Sequence, residues 1–163
     1  MDRVNSIIKH PLWISEMEKI GRAEETRIFC GHDFSHLLDV ARIAYIFSLE
    51  KELAIDKEII YAAALLHDIG RGREYTEGIP HDTAGAEIAE RILRDSGFSQ
   101  EEIVDISDAV SHHRRTGRSA DEEVNDLPSL IYYADKKSRN CFACSAYDEC
   151  KWSEEEKNRE IED

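Results

Sequence analysis

A chain of 163 residues that is 41% hydrophobic and 34% charged has enough apolar side chain for one core and enough charge for a soluble surface, and it suits one domain better than two. Its 21 Lys and Arg stand against 35 Asp and Glu, a net charge of −14, so without a long basic patch it repels nucleic acid and anionic lipid. The longest strongly apolar run, Ile59 to Leu66, is too short to span a bilayer, the opening MDRVNSIIKH has no signal-peptide core, and the expected location is cytoplasmic.

No stretch alternates apolar and polar residues as a strand would, whereas helical spacing recurs throughout. After Pro11, Leu12–Cys30 predicts a first helix with Leu12, Ile14, Met17 and Ile20 apolar, weakened in its middle by Gly21. Asp33 is placed to cap a second helix, in which Leu37, Leu38, Ala41, Ala44, Tyr45 and Phe47 recur at helical spacing. Asp56 caps a third, whose last turns, IIYAAALLH, are apolar all round as in a central buried helix, and Gly70 and Gly72 supply its stop. A fourth helix starts near Asp82 or Thr83, carries Ala86, Ile88, Ala89, Ile92 and Leu93, and stops at Gly97. Ser99 and Glu102 have the S-x-x-E form of a capping box and open a fifth helix, which runs through Ile103, Ile106, Ala109 and Val110 into His112 and His113. A polar loop, Thr116 to Asn125, precedes a sixth helix opened by Asp126 and Pro128 and ending in DKKSRN. From Ser153 the tail is charged, a solvated helix or frayed end. The expected architecture is all-α, a single-domain helical bundle.

The chemistry lies in where His and Asp fall on these helices. His67 and Asp68 end the all-apolar third helix, and an unpaired buried carboxylate costs several kcal/mol. A divalent cation bound by both would remove that cost; alternatively Asp68 caps the following loop and His67 packs with a hydrogen bond. His36 sits on the edge of the second helix's apolar stripe, and Asp135 directly follows Tyr133 and Ala134 in the sixth. Four candidate ligands therefore come from three helices, each beside apolar sequence, which is how bundles build metal sites.

The ordered set His36, His67-Asp68, Asp135 resembles the H…HD…D signature of the HD-domain superfamily of metal-dependent phosphohydrolases. The surrounding segments HDFSHLLDVARIA, ALLHDIGR and LIYYADKKSR resemble that family's motif helices, and the likeness covers about Asp33 to Arg139, leaving 140–163 as a cysteine-containing acidic tail. His113 shares an inward face with Ile103, Ile106 and Val110, while His112 is turned about 100° away. The resemblance implies one ion held by His36, His67, Asp68 and Asp135. In the two-metal branch a second would be held by Asp68, His81 and His113, with Asp68 bridging. The connection from His67 to His81 is short, and whether it brings His81 to a second ion stays open. Fe, Mn, Zn, Mg and Ni all suit such ligands.

The resemblance implies hydrolysis of a phosphate ester, foremost of a nucleotide, by metal-activated water, with Asp68 at the catalytic centre. Arg71 and Lys136, and less strongly Arg114, are expected to contact substrate phosphate; the alternative is that they are ordinary cations at helix C-termini. A small phosphorylated molecule is the expected partner, with neither nucleic acid nor membrane. Two other functions share the residues: an HD-fold di-iron oxygenase, whose ligand set is the same, and a nucleotide-binding regulatory module without turnover. Cys141, Cys144 and Cys150 form C-x2-C-x5-C, with Cys30 as a possible fourth thiolate; a structural Zn or Fe–S site and unligated thiols in a reducing compartment both account for them.

Overall fold

The structure, a computed structural model, describes residues 1–113 and 124–161. Within them the chain is helical with no strand: α1 (Asp2–Lys9), α2 (Pro11–Ala23), α3 (Phe34–Glu50), α4 (Lys57–Leu66), α5 (Arg71–Glu77), α6 (His81–Asp95), α7 (Gln100–His112) and α8 (Leu127–Lys137), followed by a 3-10 turn at Cys141–Ala143. The all-α bundle read from the sequence is the fold observed.

Helix α4 is the hub because it has no polar face to offer solvent. Ile60, Ala62, Ala63, Ala64 and Leu66 are fully buried, and α4 packs against α1, α3, α6, α7 and α8. The three alanines let neighbouring helices approach closely, while each fully buried Ile or Leu contributes roughly 1.5–3 kcal/mol. Expected caps form as the side chains dictate. The Asp33 carboxylate accepts from the His36 N–H at 2.9 Å and that of Asp56 from the Glu58 N–H at 2.7 Å. Ser99 and Glu102 close a reciprocal capping box, and Gly97 ends α6 with a positive φ of 83°.

Four boundaries differ from the sequence expectation. Helix α1 was not anticipated; Val4 and Ile7 on one side bury it against α4, and the Arg3 guanidinium bridges Glu58 and Glu102 at 2.7–2.9 Å. The first expected helix ends at Ala23 rather than Cys30, because the Glu24 carboxylate turns the chain out of the helix. It accepts from the His32 backbone N–H (2.8 Å), the His32 ring and the Tyr75 hydroxyl (2.6 Å). Gly70 and Gly72 do not stop the chain's helicity: α5 begins at Arg71, and Gly70 serves as a point of close contact, since a Cβ there would lie 2.1 Å from the His81 carbonyl oxygen. The charged tail forms no helix up to residue 161, and one of its side chains ties it to the bundle. The Asn158 amide donates to the carbonyls of Lys136 (2.9 Å), Lys137 (3.1 Å) and Arg139 (2.8 Å), satisfying the C-terminal end of α8. No helix among the described residues is long and apolar enough to cross a membrane.

Candidate metal centre

Six side chains from five helix ends meet at one end of the bundle. His36 lies in the first turn of α3, held there by the Asp33 cap, and His67 and Asp68 follow the last turn of α4. His81 opens α6, His113 closes α7, and Asp135 sits near the end of α8. One donor atom from each of His36, His67, Asp68 and Asp135 lies within 4.8 Å of the others, and the same holds for Asp68, His81 and His113. The tight approach of Gly70 to α6 is what brings His81 close despite the short connection.

Asp68 belongs to both groups through different oxygens. Its Oδ2 faces Nε2 of His67 at 3.1 Å and of His36 at 3.7 Å, while Oδ1 faces Nε2 of His81 at 3.2 Å and of His113 at 3.6 Å. The Asp135 Oδ1 adds contacts of 3.6 Å to His36 and 4.0 Å to His67. Nε2 of His81 and Nε2 of His113 are 3.2 Å apart.

The outer nitrogens fix which face each imidazole turns inward. His67 Nδ1–H donates to the Ala64 carbonyl (2.7 Å) and His113 Nδ1–H to the Val110 carbonyl (2.6 Å). His81 Nδ1–H donates to the Glu74 carboxylate (2.7 Å). The Ser138 hydroxyl gives its proton to the Asp135 carbonyl (2.8 Å), so its oxygen accepts from His36 Nδ1–H (3.3 Å). All four rings thus present Nε2 to the centre with the proton assigned by its partner to the far nitrogen. Each Nε2 then turns a lone pair toward the Asp68 carboxylate oxygens, a repulsion that a second proton or a cation between them would relieve. The Nε2 atoms of His36 and His67 are buried and make no hydrogen bond, an arrangement that costs energy unless something positive is bound. The donor set of imidazole nitrogens and carboxylate oxygens therefore fits a divalent ion.

The electrostatics agree. Burial opposes ionisation of Asp68, but the charge of His67 and the nitrogens of His113 and His36 outweigh it and hold the carboxyl well below its ordinary range. Asp135, likewise buried, is pulled down to about 2, chiefly by Lys136 and His67. Burial, aided by the neighbouring Arg71 charge, pushes His81 down to about 4, which keeps it neutral and able to ligate at physiological pH.

The expected phosphate contacts are both engaged with the centre's carboxylates. Arg71 Nε donates to Asp68 Oδ1 at 2.9 Å and its Nη1 to Glu74 at 3.4 Å, and Lys136 Nζ meets Asp135 Oδ2 at 2.6 Å. Arg114 and most of the Thr116–Asn125 loop lie outside the described residues. His112 points away, bonded to Ser111 and Asp108. Sequence reasoning missed His32, Glu74 and Ser138. His32 is nearly buried, with Nε2 3.8 Å from Asp68 Oδ2 and the other nitrogen on Glu24; a second histidine four positions before His36 was its one signal. His32 and Glu24 also line an apolar cavity of about 670 Å³ walled by Trp13, Ile14, Met17 and Phe34.

The HD domain family matches residues 33–140, the span that contains the centre, and the chain belongs to that family. Over 161 residues, 99% of each chain, it is 40% identical to an uncharacterized protein of Clostridium beijerinckii. It is 34% identical over 76 residues, 46% of this chain but 8% of the relative, to a bifunctional uridylyltransferase/uridylyl-removing enzyme of Rhodospirillum rubrum. It is 33% identical over 82 residues to ribonuclease Y of Clostridium kluyveri, covering 50% of this chain and 16% of that one. The chain therefore spans only a small part of these two characterised relatives. The crystal structure of a predicted HD superfamily hydrolase from an uncultured Thermotogales bacterium has the same fold, with a TM-score of 0.61 at 24% identity over 88% of this chain and 79% of that one.

Proposed function

We propose that the protein is a metal-dependent phosphohydrolase that cleaves a phosphate ester of a small molecule, foremost a nucleotide. The observation that carries this reading is the division of Asp68: one carboxylate turns its two oxygens to two separate sets of inward-facing imidazole nitrogens. His36, His67, Asp68 and Asp135 would hold one ion, and Asp68, His81 and His113 a second. A bound divalent ion supplies Lewis acidity and a ligating water more acidic than bulk water.

The chain's own residues do the rest. Asp68 is kept ionised and oriented by Arg71, and Asp135 by Lys136. Once cations share the charge of those carboxylates, the Arg71 guanidinium and the Lys136 ammonium, each still partly exposed, are available to anionic phosphoryl oxygens. His32 stands at the boundary between the centre and the apolar cavity, whose Trp13 and Phe34 suit the organic part of a substrate. That volume is in the range of small-molecule sites. The relatives that remove uridylyl groups or cleave RNA favour nucleotide linkages, and a net charge of −14 favours a small substrate over a polynucleotide. The cytoplasm is the setting in which such substrates occur.

A screen of phosphorylated metabolites against protein reloaded with Mn, reading phosphate release, tests the proposal. Turnover should appear, and Asp68→Asn should abolish it together with tight metal retention. Oxygen uptake by the iron-loaded protein without phosphate release would replace this reading with an oxygenase. Tight nucleotide binding with no product under any metal would replace it with a regulatory module.

A further inference from the structure

Cys30, distant in sequence from Cys141, Cys144 and Cys150, lines with them a single cavity of about 230 Å³ between the segment after α2 and the segment after α8. Cys141 is buried, Cys144 and Cys150 are half-buried, Cys30 is exposed, and all four are unpaired by disulfides. We propose that Cys30, Cys141, Cys144 and Cys150 ligate a [4Fe–4S] cluster, a site separate from the histidine–aspartate centre.

Two observations favour a cluster over a single ion. A zinc–sulfur bond of about 2.3 Å holds four thiolates about 3.8 Å apart. The cysteines, however, are not among the groups whose donor atoms lie within 4.8 Å of one another, although both histidine–aspartate groups are. Thiols that share a cavity while no three of them gather within 4.8 Å of one another suit a cube of iron and sulfide, which spreads its thiolates over separate corners. The cavity is also several times the roughly 30 Å³ share of one water molecule, room for a polyatomic group. A site of four thiolates is net negative whether it holds one zinc or a [4Fe–4S] core, and Arg27, Lys151 and Lys157 line this cavity in an otherwise acidic chain.

The cluster would be structural in its effect. Cys30 lies two residues before His32, and Cys141 follows the helix that carries Asp135 and Ser138, so shared ligation would fasten both segments beside the metal centre.

The test is purification of the full chain without oxygen. Broad visible absorption that bleaches on reduction is expected, with acid-labile sulfide matched by iron. Sulfide is the decisive assay, because the histidine–aspartate centre can take up iron but holds no sulfide. Cys30→Ser, at an exposed position, should abolish sulfide and colour while far-UV circular dichroism stays unchanged. A colourless chain without sulfide, with the thiols loaded with zinc or joined in disulfides, overturns the proposal, and a cluster that survives Cys30→Ser overturns the assignment of its fourth ligand.

Discussion

Gly70→Ala separates backbone strain from lack of space. Gly70 has φ of −78°, which alanine adopts without cost, so only the new methyl opposes the change. That methyl would sit 2.1 Å from the His81 carbonyl oxygen, 2.5 Å from the Gly85 nitrogen and 3.0 Å from the Gly85 Cα. Carbon contacts settle at about 3.5 Å, so the first turn of α6 has to retreat by about 1 Å, and backbone cannot rotate aside as a side chain can. Overpacking of this kind costs about 1–3 kcal/mol, at roughly 2–4 °C of Tm per kcal/mol for a domain of this size. His81 is the first residue of α6 and moves with it, beyond the about 0.5 Å that a functional group tolerates. Thermal unfolding and metal content after equilibrium dialysis against Mn are the assays. A lower Tm and loss of the ion assigned to Asp68, His81 and His113 are expected, with the other ion retained. Gly85→Ala is the control: its methyl would meet the Val110 side chain at 3.1 Å, which can yield, so its effect should be smaller. A Gly70→Ala protein with unchanged Tm and full metal content would refute the reasoning.

His113→Ala should reduce a two-step Mn titration to one step, because the His36 group keeps all four of its donors; loss of both steps in calorimetry would contradict two distinct groups. The chelator-treated protein should lose stability as the pH falls from 6.5 to 4. His81 is pushed down to about 4 in the fold, so the unfolded chain binds the proton first and acid draws the equilibrium toward it. Denaturant midpoints that do not move across that window would count against a neutral, buried His81. Asn158→Ala should cost about 1–2 kcal/mol by leaving the carbonyls of Lys136, Lys137 and Arg139 without their donor, measured by chemical unfolding, and an unchanged midpoint would deny the tail its capping role.

The parts of this protein readable in its sequence are those governed by local rules. Asp33, Asp56 and Ser99 mark helix starts because their side chains can reach backbone N–H groups two or three residues on, and the apolar circumference of α4 demands burial whatever surrounds it. His36, His67, Asp68 and Asp135 stood out because each is polar beside apolar sequence, His113 by the inward face of its helix and His81 by the family resemblance, and the structure brings all six together. What escaped depends on distant partners. Helix α1 is only two turns long and α4 is what it buries against. Glu24 ends α2 early through His32 and Tyr75, residues with no mark of that role in sequence. Gly70 looked like a terminator because spacing alone does not reveal that α6 passes against it. Arg71 and Lys136 were legible as cations near the centre, but not as partners of Asp68 and Asp135.

The shared carboxylate of Asp68 has a thermodynamic corollary. Two sites that draw on one residue cannot fill independently: whichever is occupied first fixes the orientation of that group for its neighbour while withdrawing part of its charge. Loading would therefore be interdependent, and in scarce metal the population would include half-filled molecules whose competence differs from that of full ones. Metal supply would then set the proportion of fully loaded molecules.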